Sequence, residues 1–121
     1  MAVRLDKPWR DLNAENLARV TGHLGVYQLA NDVGDILYIG VAGGRTRYGL
    51  KGEISKALDA PPPGVTKFRF EVNMSYRTRH AELLEAYVHD FGGLPEANTD
   101  VDPRMLGRLR PGGGPTGGGP S

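Results

Sequence analysis

Two tyrosines with glycines nearby are the residues whose types and spacing best suit chemistry. They belong to the triplets Gly25-Val26-Tyr27 and Tyr38-Ile39-Gly40, each within a short run of β-branched and aromatic residues. Between the runs lies Asn31-Asp32-Val33-Gly34, whose residue types tolerate the positive φ angles of a hairpin turn. Side chains alternate between the two faces of a strand, so each tyrosine shares a face with its nearby glycine. The pattern predicts a β-hairpin that brings two phenols to one small concave site.

A local excess of positive charge follows the second predicted strand. Between Tyr38 and Lys56 the only acidic residue is Glu53, and the cations are Arg45, Arg47, Lys51 and Lys56. The arginines follow Gly43-Gly44, and glycines let backbone amides approach a phosphate closely. We therefore expect a phosphate-binding patch, with Arg45 and Lys51 among its contacts. The alternative is that these are solvated loop charges.

The two triplets and three later features resemble the signature of the GIY-YIG nuclease family. The triplets read GVY and YIG, and an arginine follows at Arg45 or Arg47. A predicted helix then carries Leu83-Leu84-Glu85, and Asn98 follows it. The resemblance covers about residues 24 to 98. It implies the family's small α+β fold and a metal-dependent endonuclease that hydrolyses phosphodiester bonds in DNA.

The resemblance makes Glu85 the ligand of a single divalent ion. A hard carboxylate suits Mg²⁺ or Mn²⁺, and Mg²⁺ keeps most of its waters and takes few protein ligands. The alternative for Glu85 is a solvated carboxylate on a helix surface. Glu82 is a nearby competitor, and His89, one turn later, is the other residue that could join a metal site.

The resemblance also implies roles for the tyrosines, an arginine and the asparagine. Tyr27 would act as the general base or orient the attacking water, and Tyr38 would hold the phosphate or a metal-bound water. Arg47 would clamp the scissile phosphate with its forked guanidinium, although the loop after YIG is about one residue short, so Arg45 competes for the role. Asn98 would fix the site by side-chain hydrogen bonds. The alternatives are ordinary strand aromatics for the tyrosines and a loop cap for Asn98.

A second group of cations opens the helix that carries Glu85. Arg77, Arg79 and His80 lie in its predicted first turns, where positive charge opposes the helix dipole. This unfavourable placement indicates an external anion, so we count the three residues as further nucleic-acid contacts. The alternative is the solvated start of a helix.

Overall composition narrows the function classes. The chain has 121 residues, enough for one domain, with 15 Lys and Arg against 14 Asp and Glu and a net charge of +1. This balance gives nucleic-acid binding no independent support. There is no cysteine and hence no disulfide or thiolate metal site. No apolar run is long enough to span a membrane and residues 1–10 are too polar for a secretory signal, so we expect a cytoplasmic protein without a membrane partner.

The predicted elements form an α+β fold in which helices flank a small three-stranded antiparallel sheet. We divide the chain into a lead-in and helix (1–22), a GIY-YIG-like domain (23–110) and a disordered Gly/Pro tail (111–121). Besides the hairpin, we predict helices from Asp11 or Asn13 to about Val20, over 50–58 and 77–91, a strand over 66–74 and a last helical turn within 102–109.

Two leading functions therefore remain open, with nucleic-acid binding without cutting as a third. The first is a nuclease or nuclease-like domain acting on DNA with Mg²⁺ or Mn²⁺. The second is a catalytically inactive binding module on the same scaffold, such as an accessory subunit of a larger assembly. The short arginine loop and the low net charge favour the second. In either case a protein partner or a second copy of the chain would supply target selection.

Overall fold

The computed structural model describes residues 4–44 and 46–98. Over this part the chain forms four strands and three helices in an α+β arrangement, as expected from the sequence. The sheet is antiparallel throughout, with strand order β1-β4-β2-β3. The elements are β1 (Arg10–Asp11), α1 (Ala14–Leu17), β2 (Gly25–Ala30), β3 (Ile36–Ala42), α2 (Gly49–Asp59), β4 (Lys67–Val72) and α3 (Tyr76–Phe91). None of the described helices is long and apolar enough to cross a membrane.

The sheet has four strands rather than the predicted three. The fourth, β1, is two residues long and pairs with β4, where Arg10 lies opposite Phe68 and Asp11 opposite Lys67. An ion pair of 2.6 Å joins Lys67 to Asp11. Two residues are too few to show an alternating pattern, which is why this strand could not be predicted from the sequence.

The predicted hairpin is β2 and β3, joined by a turn that Asn31 organises. Its side-chain oxygen accepts hydrogen bonds from the amides of Val33 and Asp35. Gly34 adopts a φ of 90°, which a glycine takes without strain. The register places Tyr27 opposite Gly40 and Leu29 opposite Tyr38.

Each face of the sheet is covered by one long helix. On one face, Leu50 and Ile54 of α2 belong to a core cluster with Tyr27, Leu29 and Phe68. On the other face, a second cluster joins α3 to the sheet and consists of Leu5, Val26, Ile39, Leu83 and Leu84. The alternation of side chains along β2 and β3 therefore separates the tyrosines from α3.

The helix boundaries follow local signals. Asn13 caps α1 by accepting from the amide of Asn16 at 2.8 Å, but α1 ends at Leu17 instead of continuing to Val20. Helix α2 ends at Asp59, before the Pro61–Pro63 run, and α3 ends at Phe91, where Gly92 follows with φ 84°. The predicted last turn within 102–109 and the Gly/Pro tail lie outside the described residues.

Candidate functional site

The two tyrosines of the hairpin meet on the face of the sheet that α2 covers. Tyr27 and Tyr38 have ring centroids 5.9 Å apart with planes tilted by 43°. Gly40 lies opposite Tyr27, and a β-carbon at position 40 would overlap the Tyr27 ring. The glycine of the second triplet is therefore required by the tyrosine of the first. This contact is the physical link between the two triplets.

The phenols line a cleft of about 200 Å³ between the sheet and α2. Glu53 and Lys56 contribute the charged groups from α2. The remaining wall is apolar and includes Leu29, Ala57, Ala60, Pro62 and Ala97. A polar end with two phenols, a carboxylate and an ammonium group thus adjoins an apolar end.

Glu53 is the carboxylate that the structure brings to the tyrosines. The Tyr27 hydroxyl lies 3.5 Å from Oε1 of Glu53, and Nζ of Lys56 lies 3.5 Å from Oε2. Both distances are at the long end of hydrogen bonding, and such contacts in a free enzyme often shorten when substrate binds. The Glu53 side chain is largely covered, at 19% exposed, whereas Lys56 is 75% exposed. The arrangement allows a phenol to pass its proton to a carboxylate.

Asn98 holds the strand that carries Tyr38. Its side-chain oxygen accepts from the amide of Ile39 at 2.8 Å, and its side-chain nitrogen donates to the carbonyl of Ile39 at 2.9 Å. The residue is only 3% exposed. The amide of Ala97 also donates to the carbonyl of Leu37 at 2.9 Å. Residues 97 and 98 therefore hydrogen-bond to backbone groups on the outer edge of β3, as a further strand would.

Glu85 is not among the described residues that line the cleft. It follows Leu83 and Leu84 on α3, and those two leucines pack against Val26 and Ile39 on the opposite face of the sheet. Its Oε2 is buried, and no described group hydrogen-bonds to it. A buried carboxylate oxygen without a partner fits a divalent cation, because the cation would satisfy it. Among the described residues no three acidic or histidine side chains form a ready-made metal cluster, so Glu85 would act as a single protein ligand.

The glycine loop binds its own chain through its amides. The amide of Gly43 donates to the Thr46 hydroxyl at 3.1 Å, and the amide of Gly44 donates to the Tyr76 hydroxyl at 3.1 Å. These amides are therefore engaged rather than presented to a phosphate, contrary to expectation. A β-carbon at position 43 would lie 2.9 Å from the Tyr76 ring, which explains the glycine there.

The cations predicted to contact phosphate have different surroundings. Arg47 is exposed in the turn before α2 and is not among the described cleft residues, while Arg45 lies outside the described residues. Lys51 is exposed in the first turn of α2, and Arg77 is exposed in the first turn of α3. Because Lys51 and Arg77 are exposed, an external anion can reach both side chains.

Arg79 and His80 are engaged inside the fold. Nε of Arg79 lies 3.0 Å from Glu71, and Nη1 lies 3.3 Å from Glu82. Burial disfavours the charge on Glu71, but hydrogen bonds from Asn73 and Arg79 and the charge of Arg79 outweigh it and lower the pKa of Glu71. Nε2 of His80 lies 3.1 Å from the Ile39 carbonyl. Both side chains connect α3 to the sheet through these contacts, and their assignment as nucleic-acid contacts stays a prediction.

A family model described as a domain of unknown function (DUF7508) matches residues 3–90. The chain belongs to the DUF7508 family. The matched range of this DUF7508 domain includes both tyrosines, Glu53 and Lys56, whereas Asn98 lies beyond it. No curated protein and no solved structure matches the chain.

Sequence reasoning did not assign Glu53 to the cleft of this DUF7508 domain, and it counted Lys56 only as part of the local excess of positive charge. Glu53 and Lys56 are three residues apart, so they share one side of the helix. Leu50 and Ile54 mark the adjacent buried side. The helical period alone could therefore have placed Glu53 at the border of the core, although not beside Tyr27.

Proposed function

We propose that this DUF7508 domain is a metal-dependent endonuclease of the GIY-YIG type that hydrolyses phosphodiester bonds in DNA at the tyrosine cleft. The observation that carries the proposal is the meeting of the Tyr27 and Tyr38 phenols beside Gly40 and Glu53. Two phenols, a carboxylate and a cation can together orient a water, accept its proton and balance phosphate charge.

Tyr27 and Glu53 form the proton-accepting pair in this mechanism. A phenol alone is a poor base near neutral pH, but the Tyr27 hydroxyl donates toward Glu53. As the water oxygen bonds to phosphorus, its proton passes to the Tyr27 oxygen and the phenol proton passes to Glu53. The bond from phosphorus to the leaving oxygen breaks, and that oxygen takes a proton from solvent. Lys56 offsets the negative charge of Glu53 at the start of the reaction.

Tyr38 orients the phosphate in this mechanism. The contacts of Asn98 with Ile39 hold the Tyr38 side chain in place. The Tyr38 ring lies beside Tyr27 at the cleft, so its hydroxyl can donate to a non-bridging oxygen. Asn98 forms hydrogen bonds with Ile39, the residue after Tyr38, through the oxygen and the nitrogen of its side-chain amide. The position of the phenol is therefore fixed by the edge of the sheet rather than by a flexible loop.

Glu85 would hold the divalent ion that the mechanism requires. Its unpartnered, buried Oε2 supports this assignment. A Mg²⁺ or Mn²⁺ ion held there would supply Lewis-acid stabilisation of charge on a phosphate. Because Glu85 does not line the cleft and its neighbouring leucines pack on the opposite face of the sheet, this contribution requires a substrate that extends from the tyrosines to Glu85. The rest of the reaction, from water orientation to proton acceptance, falls to the side chains of the cleft.

Plasmid nicking in Mg²⁺ or Mn²⁺ tests the proposal. The wild-type domain should convert supercoiled plasmid to the nicked form, and Tyr27→Phe and Glu85→Ala should each lose most of the activity. Tyr87→Phe is the matched control, because this hydroxyl contacts the Ile36 carbonyl and does not line the cleft. Cleavage that survives unchanged in both site variants would defeat the proposal.

A second function, binding without cutting, is favoured by the position of α3. The leucines before Glu85 pack on the face of the sheet opposite the tyrosines. If Glu85 cannot act at the cleft, the domain is a catalytically inactive module on the same scaffold. Purification of a stoichiometric protein partner, together with an absence of nicking in either metal, would select this function.

A further inference from the structure

Tyr48 has a backbone conformation that side chains rarely adopt. Its φ and ψ are 66° and 16°, and it is the one non-glycine residue with a positive φ in the described part of the chain. Gly49 follows with φ 59°. A bulky residue in this left-handed region is unusual, because its β-carbon crowds the neighbouring carbonyl. Glycine would suit position 48 better, so stability alone does not explain a tyrosine there.

The surrounding chain fixes Tyr48 in this conformation. The amide of Leu50 donates to the His23 carbonyl at 2.9 Å, and the amide of Lys51 donates to the Thr21 carbonyl at 3.1 Å. These bonds attach the start of α2 to the segment before β2. They also engage the amides of Leu50 and Lys51 in the first turn of α2, so these two amides are not open to an anion. The turn at Tyr48 is therefore built into the fold.

The Tyr48 ring gains little from burial. The residue is 72% exposed, so the hydrophobic effect does not account for its presence. A β-carbon at position 52 would lie 3.1 Å from the β-carbon of Tyr48. The Tyr48 side chain therefore begins next to Gly52, a residue of α2 that has no side chain. Gly52 directly precedes Glu53 of the cleft. The ring is thus an exposed flat surface at the start of α2, the helix that carries Glu53.

The charged residues that flank Tyr48 in the sequence are all positive. Arg47 directly precedes Tyr48, Lys51 follows three residues later, and both are exposed. From Val41 to Gly52 the sequence contains no acidic residue. An exposed aromatic ring between cations suits a single-stranded nucleic acid, because the ring stacks on a base while the cations hold the flanking phosphates.

We infer that Tyr48 is a base-stacking platform for a single-stranded or unpaired segment of nucleic acid, with Arg47 and Lys51 holding the adjacent phosphates. The inference rests on the proposed function for the presence of nucleic acid at the neighbouring cleft. It adds a contact that positions the strand beside Tyr27. Binding through Tyr48 requires no metal and no cleavage, so it can be measured separately from nicking.

Fluorescence anisotropy with a labelled 12-nucleotide single-stranded DNA tests the platform in EDTA, where cleavage is suppressed. For the full chain we expect Tyr48→Ala to weaken binding about tenfold, as for the loss of one stacked base, and Tyr48→Phe to weaken it less than about twofold. Val33→Ala is the control for loss of an exposed apolar side chain, because Val33 lies in the hairpin turn and is 80% exposed. Equal affinity of wild type and Tyr48→Ala, or no binding by wild type, would overturn the inference.

Two further variants separate stacking from charge and from folding. Arg47→Ala should reduce the slope of log affinity against log salt by about one, whereas Tyr48→Ala should leave the slope unchanged. Tyr48→Gly should bind as weakly as Tyr48→Ala while its midpoint of urea unfolding stays equal to or above that of wild type. A lower midpoint for Tyr48→Gly would instead show that the ring supports the fold. Binding as expected without nicking by wild type would sustain the platform and reject the nuclease.

Discussion

The hydroxyl of Tyr27 lies 3.5 Å from a carboxylate oxygen of Glu53, a residue 26 positions further along the chain. The contact joins β2, an inner strand of the sheet, to α2 and defines the polar end of the cleft. It also gives a weakly basic phenol a nearby acceptor for its proton. The chemistry proposed for this domain depends on that relationship more than on any single residue.

Glu53 should accept the phenol proton of Tyr27 during cleavage. Glu53→Gln should therefore slow nicking at neutral pH, because the amide that replaces the carboxylate cannot take up that proton. Single-turnover nicking rates of the two proteins test this. A Glu53→Gln rate equal to that of wild type would exclude Glu53 as the acceptor.

Gly40→Ala should destabilise the domain by about 1–3 kcal/mol, the usual cost of forcing extra volume into a packed site. The added methyl group would overlap the Tyr27 ring. Urea unfolding provides the measurement. Gly93→Ala is the matched control, since nothing lies within 4 Å of a β-carbon there. If Gly40→Ala were as stable as the control, the contact between the two triplets would not be as described.

Asn98→Ala should lower the free energy of unfolding by about 1–3 kcal/mol, because the amide and carbonyl of Ile39 lose their hydrogen bonds to the Asn98 side chain. The loss of protection from hydrogen exchange should be confined to the outer edge of β3. Hydrogen exchange should therefore show faster exchange of the Ile39 amide, with the Gln28 amide on β2 nearly unaffected. Unchanged protection of Ile39 would argue against the role given to Asn98.

Stability should fall in acid through the ion pair of Glu71 with Arg79. The folded-state pKa of Glu71 is below its ordinary value of 4.5, because bonds from Asn73 and Arg79 outweigh the effect of burial. The pair therefore stabilises the domain above about pH 4.5, and this contribution is lost as the pH falls through the lowered pKa. Exposed Asp90, paired with Arg4, shifts in the same direction. Urea midpoints at pH 7 and pH 3 should differ less in Glu71→Gln than in wild type, and an equal difference would contradict this assignment.

The hairpin and its tyrosine pair could be predicted because their signals are local. A two-residue period places Tyr27 and Tyr38 on definite faces, and the turn residues between them set the pairing. The long helices likewise follow from their apolar spacing and from the prolines and glycines that end them. The structure agrees with these predictions to within one or two residues.

The remaining features depend on packing between distant segments. The pairing of Arg10 with Phe68 has no periodic signal, and Tyr76 reaches Gly44 from 32 residues away. The position of Glu53 beside Tyr27 depends on how α2 crosses the sheet, which a helical period does not determine. The same limit applies to Glu85, whose helix packs on the opposite face through neighbouring leucines.

Single-turnover nicking of supercoiled plasmid by wild type, Tyr27→Phe and Tyr87→Phe, in Mg²⁺ at neutral pH, tests the central claim most directly. Removal of the Tyr27 hydroxyl should slow cleavage by about a hundredfold or more, the usual contribution of a positioned acid or base. Tyr87→Phe should cleave at the wild-type rate. Equal rates for all three proteins, or no cleavage by wild type, would contradict hydrolysis at the tyrosine cleft.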